Sequence, residues 1–591
     1  MTATDESKIE TALVPEWGSD AVAAFLRAAD IPFVALNPGA SFRGLHDSLV
    51  NFLGNERPEL LLCLHEEHAV ALAHGYAKVT GRPMAVIVHS NVGLMHASMA
   101  IYDAWCDRAP VLILGATGPV DAARRRPWIE WIHTSADQGA LIRPFVKWDD
   151  QPASIAAALE SLARAWQLAR TVPPGPTYVC LDVSLQESRI GDLEAARQPD
   201  LARRQPPPVA DPPDDALAEA ARVLRAASRP VILAGRVSRD PADWQHRVDL
   251  AERLEARVIT DLKAGAAFPT EHPLHVPGPG FFLSDDAKRI LAEADCVLSL
   301  DWIDLAGTLA QATRGDTPAT VILASVDHVL HGGWSKDHFG LPPVDINLAT
   351  TPDRAVARLL DRLSAKPVGL PRPVVDQPGS LGSRPTDGTL TLNDLSRHLR
   401  AATEGDSVCL IRLPLGWSGD AWPFRHPLDF LGYDGGAGIG SGPGMAVGAA
   451  LALRGGDRLP VAVLGDGDYL MGVQALWTAV RHRIPLLVVV ANNRSYFNDE
   501  LHQERVASTR GRDVRNRWIG QRIADPAPDL AAMARAQGLS GWGPITTEAD
   551  LDQAFRAAVD AVRSGNCAVV DVVVDTGYDA TMAAGVVGSV E

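Results

Sequence analysis

The chain has 591 residues, of which 46% are hydrophobic and 21% are charged, and its formal net charge is −17. A chain of this length exceeds what one hydrophobic core supports, so the length predicts three or four domains. The excess of acidic residues argues against a nucleic acid or an anionic membrane as the partner, because both require a basic protein surface.

The compartment is indicated by the N-terminus and by the cysteines. The segment 1–17 is polar and acidic, unlike a signal peptide, and no apolar run reaches the roughly 18 residues that span a bilayer. The six cysteines are scattered without paired spacing, which predicts buried free thiols in a reducing environment. They are Cys63, Cys106, Cys180, Cys296, Cys409 and Cys567. We therefore expect a cytoplasmic protein.

Two polar, proline-rich segments interrupt the chain at roughly 196–215 and 366–388. Neither shows hydrophobic periodicity, so both are predicted to be linkers. They divide the chain into an N-terminal domain (1–195), a central domain (212–365) and a C-terminal domain (389–591).

Short, almost continuous apolar runs recur along each of the three domains. They alternate with helical stretches such as 66–81, which is the pattern of parallel strands joined by crossover helices. We therefore expect α/β domains with doubly wound parallel sheets, whose ligands bind at the carboxyl ends of the strands. In chain order the runs are 31–39, 83–90, 110–118, 229–235, 256–261, 296–301, 320–327, 460–467, 485–493 and 567–575.

The strands of the C-terminal domain end in residues that suit a metal and a diphosphate. The strand 461–464 is followed by Gly465, Asp466, Gly467 and Asp468, and the strand 486–491 is followed by Asn493 and Ser495. Carboxylate, amide and backbone oxygens are the ligands that Mg²⁺ prefers, so Asp466, Asn493 and the Ser495 carbonyl are predicted to bind it. A helix that begins near residue 472 or 473 is expected to aim its N-terminus at the same place.

The separation of 27 positions between Asp466 and Asn493 resembles the motif of the thiamine diphosphate enzymes. Residues 62–83 resemble the glutamate segment of the decarboxylase and acetolactate synthase branch of that family. The resemblance implies that Glu66 hydrogen-bonds the aminopyrimidine ring of the cofactor. The glycine-rich run 434–453 is not read as a dinucleotide fingerprint, because it contains Pro443 and no clear strand precedes it.

The glycine-rich run instead resembles the family's segment beneath the cofactor. In that alignment Ile439 supports the bent cofactor and the Ala437 carbonyl lies near its amino group. Within the family the benzoylformate decarboxylases are the most similar. The resemblance covers nearly the whole chain and is carried by 37–41, 64–77, 88–93, 143–154 and 475–485.

That resemblance implies a catalytic histidine at His89, 23 positions after Glu66, and a substrate pocket that includes Ala40 and Ser41. The segment 298–311 has no histidine where those decarboxylases carry a second one. The residues that form the aryl pocket of those decarboxylases also differ in this chain. His133 replaces an aliphatic residue, and polar residues follow the paired asparagines Asn492 and Asn493. These are Asn498, Asp499, Glu500 and His502, of which Asp499 or Glu500 is expected to act as a proton donor.

The altered pocket predicts a polar or small 2-oxo acid as substrate, because an unpaired polar group against an aryl ring is costly. Three hypotheses remain: a non-oxidative decarboxylase, a carboligase or 2-hydroxyacyl lyase, and a member that binds the cofactor without turnover. The basic patch Arg124–Arg126 is either a solvated surface or a clamp for a second anionic group. The resemblance implies thiamine diphosphate and Mg²⁺ as cofactors, no flavin, and a homodimer or homotetramer with active sites between subunits.

Overall fold

The computed structural model describes residues 14–191, 197–313, 317–327, 341–363, 388–433, 435–578, 582–583 and 585. Each of the three predicted domains contains one parallel sheet, so the predicted fold class is confirmed. The first linker is mostly irregular and includes a short 3₁₀ turn at Leu201–Arg204. The second linker lies almost entirely outside the described residues.

The first domain has a sheet in the order β2-β1-β3-β4-β6-β5. The strands are β1 Phe33–Leu36, β2 Glu59–Leu62, β3 Met84–Val88, β4 Val111–Thr117, β5 Asp149–Asp150 and β6 Thr177–Asp182. The helices are α1 Gly18–Ala28, α2 Arg43–Asp47, α3 Glu66–Thr80, α4 Ser90–Cys106, α5 Ile129–Ile132, α6 Ile155–Arg170 and α7 Val183–Gln186. β3 and β4 are buried along their whole length, as their continuous apolar sequences predict.

The central domain has a sheet in the order β11-β10-β9-β7-β8. The strands are β7 Pro230–Ala234, β8 Arg257–Ile259, β9 Cys296–Leu300, β10 Thr320–Ala324 and β11 Ile346–Leu348. The helices are α8 Asp214–Ala226, α9 Pro241–Leu254, α10 Asp285–Ala292, α11 Leu305–Thr313 and α12 Pro352–Arg362.

The third domain has a sheet in the order β12-β13-β14-β16-β15. The strands are β12 Ser407–Arg412, β13 Arg458–Gly465, β14 Leu486–Asn492, β15 Ser540–Ile545 and β16 Cys567–Val573. The helices are α13 Leu392–Ala402, α14 Gly442–Leu453, α15 Asp466–Gly472, α16 Ala475–Arg481, α17 Phe497–Thr509, α18 Leu530–Ala536 and α19 Glu548–Arg563.

One expectation for the third domain was wrong. The helix expected near residue 472 or 473 is present as α16, which begins at Ala475, but a separate helix, α15, begins directly at Asp466, and its N-terminus rather than that of α16 lies at the end of β13. The sequence pattern misled because Gly465 and Gly467 suggested a loop, whereas the chain enters the helix directly from the strand. β13 pairs in parallel with β14, and Gly465 lies opposite Ala491, so the two motifs do lie side by side.

The first and third domains pack through α3 and α14. A Cβ at Gly75 would collide with the Met445 carbonyl, and one at Gly448 would collide with the Leu72 carbonyl. The two helices therefore approach closely because both carry glycine at the crossing. This close contact accounts for the small residues in the 434–453 run, so a bound nucleotide is not needed to explain them. One hydrophobic core includes residues of both domains.

The cysteines are free thiols, and all except the partly exposed Cys106 are buried. Burial raises the pKa of the Cys63 thiol to about 12, which makes it unreactive near neutral pH. Within the part of the chain that the structure describes, no helix is both long and apolar enough to cross a bilayer.

Candidate active site

Asp466 is a buried carboxyl at the carboxyl end of β13, only 4% exposed. It accepts hydrogen bonds from the backbone amides of Gly467 (3.0 Å) and Ser495 (3.1 Å). Burial raises the pKa of Asp466 to about 6, and the hydrogen bonds offset this only in part. Among the described residues no basic side chain forms an ion pair with it. A desolvated carboxylate of this kind favours a bound cation.

Asn493 and Ser495 follow the neighbouring strand β14. The side-chain oxygen of Asn493 accepts a hydrogen bond from the Ser495 amide at 3.0 Å, which fixes the turn between them. Both residues line a cavity of about 360 Å³ together with Asp466. The cavity therefore brings together the oxygen donors that the sequence predicted as metal ligands.

The same cavity contains the other residues that the sequence predicted to bind the cofactor, except Glu66 of the first domain. Ala437 and Ile439 line it from the loop before α14, and Ala437 has a positive φ of 54°. The full set of predicted residues on its wall is Ala437, Ile439, Gly465, Asp466, Gly467, Asp468, Asn493, Ser495, Asn498 and Asp499.

Asp468 supports this wall through its own contacts. It forms a buried ion pair with Arg412 at 2.7 Å and accepts hydrogen bonds from the amides of Gly440 (2.7 Å) and Gly442 (3.3 Å). These bonds hold the loop that carries Ile439 against α15. Asp468 therefore positions the cofactor-facing loop, and Arg412 adds a positive charge to the cavity wall.

The donors present fit a divalent cation and a diphosphate. Asp466, Asn493 and the Ser495 carbonyl are hard oxygen donors, which suit Mg²⁺ better than a softer metal. Burial raises the pKa of Asp466 and favours a cation beside this carboxylate, whereas the Arg412 guanidinium on the same wall is already balanced by Asp468, so the bound cation would be the main offset to the charge of a diphosphate.

Glu66 is the first residue of α3, and it is 3% exposed. Burial acts to raise the pKa of Glu66, but hydrogen bonds with His96 and Asn37 outweigh it and hold this pKa below the ordinary value. The His96 Nδ1 atom lies 3.1 Å from Glu66 Oε2. The neighbouring Glu67 differs, since burial and then the charge of Asp468 raise its pKa. Glu67 therefore faces its own chain's third domain, whereas Glu66 faces His96.

His89 lies at the carboxyl end of β3 and contacts two other predicted residues. Its Nδ1 atom is 2.8 Å from the Ser41 hydroxyl. Its ring meets the ring of His133 edge-on, with centroids 4.8 Å apart. Burial and then the charge of His133 lower the pKa of His89, so its imidazole is neutral near pH 7. Ala40 immediately precedes Ser41 in a short 3₁₀ turn.

Glu66, His89 and Ser41 do not line the cavity around Asp466 of their own chain. Among the described residues that line that cavity, none belongs to the first domain. One chain therefore presents two separate sets of residues, one around Asp466 and one around Glu66 and His89.

The polar residues after the paired asparagines fall in different places. Asn498 and Asp499 line the cavity, and His502 is exposed on α17. Glu500 is fully buried, and its carboxylate accepts a hydrogen bond from the Ser495 hydroxyl at 2.6 Å. It also forms ion pairs with Arg522 (3.0 Å) and Arg517 (3.3 Å). The Glu500 carboxylate therefore joins the turn at Asn493 and Ser495 to the segment that follows α17.

Replacing Glu500 by Gln is expected to weaken Mg²⁺ binding roughly tenfold, because the Ser495 loop loses its anchor. We also expect the unfolding free energy to fall by about 1–3 kcal/mol, since Arg522 loses its carboxylate and Arg517 loses one of its two acidic partners. Metal titration of cofactor-dependent fluorescence and thermal unfolding measure the two effects. Glu504→Gln is the control, because Glu504 pairs with Arg517 at the surface and contributes little. Normal metal affinity with abolished turnover would instead make Glu500 a proton donor.

The basic patch Arg124–Arg126 is engaged within the first domain. Arg124 contacts Ser188 at 3.3 Å, Arg125 donates to the Val120 carbonyl at 2.7 Å, and Arg126 pairs with Glu130 at 2.6 Å. These contacts agree with a structured surface segment.

Sequence reasoning missed four residues of these sites. Arg412 is a buried arginine at a strand end, and Phe497 and Tyr578 form an edge-on aromatic pair on the cavity wall. Burial raises the pKa of Tyr578 to about 12. His96 lies in the second turn of α4, the helix that begins directly after the strand-end residue His89, and a polar ring in a mostly apolar helix was the available signal.

Comparison with known protein families identifies all three domains. The model described as the N-terminal TPP binding domain of thiamine pyrophosphate enzymes matches residues 16–141. The model of the central domain matches 217–328, and that of the C-terminal TPP binding domain matches 415–572. The chain belongs to the thiamine pyrophosphate (thiamine diphosphate) enzyme family.

Curated relatives include both activities considered from the sequence. The acetolactate synthase large subunit of Lactococcus lactis is 25% identical over 89% of this chain and 88% of its own length. The benzoylformate decarboxylase of Pseudomonas aeruginosa is 26% identical over 85% of this chain and 90% of its own. The solved benzoylformate decarboxylase of Polynucleobacter necessarius, 20% identical, shares the fold with a TM-score of 0.76 over 96% of this chain and 100% of that chain.

Proposed function

We propose that this protein decarboxylates a small or polar 2-oxo acid with thiamine diphosphate and Mg²⁺, in active sites formed between subunits. The observation that carries the proposal is His89, which is hydrogen-bonded to the Ser41 hydroxyl and meets the His133 ring edge-on, so that two imidazoles able to move protons lie together at a first-domain edge. The cavity around Asp466 supports the cofactor half of the proposal.

The two sets of residues complete each other when two chains associate. Glu66 and His89 of one subunit then face the cavity formed by Asp466 and Asn493 of another, so a dimer is the minimal active unit. We propose a homodimer or a homotetramer on this ground. The separation of the two sets within one chain supports this arrangement.

The proposed reaction assigns a separate role to each of these residues. Asp466, Asn493 and the Ser495 carbonyl hold the metal, and Ala437 and Ile439 support the cofactor. When bound, thiamine diphosphate supplies a carbon nucleophile that also accepts the electrons released as CO₂ leaves. Glu66 hydrogen-bonds the aminopyrimidine ring and exchanges a proton with it. In addition, His89, oriented by Ser41, exchanges a proton with the substrate.

Two further groups add proton-transfer capacity. His133 supplies a second imidazole beside His89, which compensates for the histidine lacking from 298–311. Of the two candidate proton donors, Asp499 lines the cavity and Glu500 does not, so we assign the protonation of the product to Asp499. The Glu500 carboxylate is already bound by the Ser495 hydroxyl and by the guanidinium groups of Arg517 and Arg522.

A second candidate is a carboligase or 2-hydroxyacyl lyase. It is favoured by the acetolactate synthase relatives, which match as well as the decarboxylase does. Such an enzyme would form a carbon–carbon product only when an acceptor is present.

The test is CO₂ release from a panel of small, aryl and dicarboxylic 2-oxo acids, with the protein loaded with thiamine diphosphate and Mg²⁺. We expect release from small or polar acids without any acceptor. Release only when a second carbonyl compound is added would favour the carboligase. No release from any acid, with the cofactor shown to be bound, would overturn the decarboxylase.

His133→Leu is expected to shift substrate preference toward aryl 2-oxo acids. A buried polar ring beside an aryl group costs on the order of 1–3 kcal/mol, so the preference ratio changes roughly tenfold or more. The ratio of kcat/KM for benzoylformate to that for a small 2-oxo acid measures the shift. His502→Leu is the matched control, because His502 is exposed on α17. Equal shifts in both variants would exclude His133 as a pocket residue.

A further inference from the structure

Three side chains at the start of α3 and within α4 form a compact donor cluster. One ligand atom each from His65, Glu66 and His96 lies within 4.8 Å of the others. The His96 Nδ1 atom is 3.1 Å from Glu66 Oε2, and the rings of His65 and His96 stack with centroids 4.7 Å apart. This arrangement places two imidazoles beside one carboxylate.

Two imidazoles and one carboxylate suit Zn²⁺ or Co²⁺, which bind nitrogen ligands readily. Mg²⁺ prefers oxygen ligands and is disfavoured here. The cluster therefore differs in metal preference from the oxygen donors around Asp466.

The cluster is accessible, and one member can adjust. The His96 side chain is 49% exposed, whereas that of Glu66 is 4% exposed. The donor atoms lie as far as 4.8 Å apart, so His96 must rotate a little to share an ion with His65 and Glu66. A half-exposed side chain can make this rotation. His65 keeps its position because its Nδ1 accepts the Glu67 amide at 3.2 Å.

We propose that His65, Glu66 and His96 bind a divalent transition metal such as Zn²⁺, and that the bound ion withholds Glu66 from the cofactor. Zinc and thiamine diphosphate then compete for the protein. The competition between zinc and thiamine diphosphate depends on the proposed role of Glu66 at the cofactor. Zinc binding by the three side chains does not depend on that role.

The test of the site uses the full-length, cofactor-free protein in excess Mg²⁺, titrated with Zn²⁺ by calorimetry and with Co²⁺ by visible absorption. We expect one Zn²⁺ per chain, and an Asp466→Asn background should leave it bound. His96→Asn keeps a hydrogen-bonding group beside Glu66, and His65→Asn keeps a helix-capping oxygen. Each is expected to weaken Zn²⁺ binding more than tenfold. His46→Asn, an exposed histidine on α2, is the control and should bind normally.

Zinc affinity unchanged in both cluster variants, or equally weakened in His46→Asn, would overturn the site. The competition is tested by repeating the Zn²⁺ titration at increasing thiamine diphosphate. We expect the apparent zinc Kd to rise in proportion, and a constant Kd would overturn the competition. Should Glu66→Gln also leave turnover intact, the proposed role of Glu66 has failed, while zinc binding lost in the cluster variants still supports the site.

Discussion

Glu66→Gln is expected to lower kcat by roughly 10²–10⁴-fold at saturating thiamine diphosphate and Mg²⁺, the range typical for loss of a proton-transfer group. An amide can still accept the hydrogen bond from His96, so the fold around α3 is retained. It cannot hold an exchangeable proton for the aminopyrimidine ring. CO₂ release or product formation measures the loss, and cofactor binding measured in parallel shows that the site is loaded.

Glu67→Gln is the matched control for this prediction. The two glutamates are adjacent in sequence, but the pKa of Glu67 is raised by burial and by Asp468 of its own chain, and these outweigh the opposing effect of His96. We expect its turnover to stay within a few-fold of the unmodified protein. Equal losses in both variants would point to damage at the helix start, and full activity in Glu66→Gln would leave only a non-catalytic role for this residue.

Asp466→Asn is expected to weaken binding of Mg²⁺ and thiamine diphosphate by at least 100-fold, because the metal loses its charged ligand. The same change should leave the cofactor-free protein as stable as before or more stable near pH 8. The reason is that a pKa of about 6 marks a carboxylate that is costly to ionise, by roughly 3 kcal/mol at most. Fluorescence titration and thermal unfolding of the cofactor-free protein measure the two effects.

Asp468→Asn provides the contrast two residues away. Its carboxylate balances the buried Arg412, so its loss should destabilise the fold by about 3 kcal/mol. Asp466→Asn lowering stability as much as Asp468→Asn would contradict our assignment of the two aspartates.

The pH dependence of metal binding follows from the same carboxyl. A proton competes with Mg²⁺ for Asp466, so affinity should rise with pH up to about 6 and then level off. Because the folded state raises this pKa, the Asp466 contribution to the stability of the cofactor-free protein is greatest at low pH and is lost as the pH rises through 6. Mg²⁺ affinity measured between pH 5 and 8 tests the direction, and affinity that falls across this range would contradict it.

Strand ends were the most predictable feature of this protein. Apolar runs that finish in Gly465 or Asn492 indicated parallel strands, and neighbouring strands of a parallel sheet end at one edge. Asp466 and Asn493 could therefore be placed together from sequence alone. The helix after β13 was misjudged, because glycines indicate freedom of the backbone rather than a particular conformation.

The sequence by itself determined the three parallel α/β sheets, and it predicted the metal ligands and the choice of Glu66, because these depend on local periodicity and on residues a few positions apart. Only the tertiary structure decided the partners of Glu500 and Asp468, the contact of His96 with Glu66, and the edge-on pairing of His89 with His133. These contacts join residues from different elements, and their side-chain directions depend on how those elements pack. The physical reason is that spacing along a chain fixes which residues share an element, whereas burial and close packing fix which elements meet.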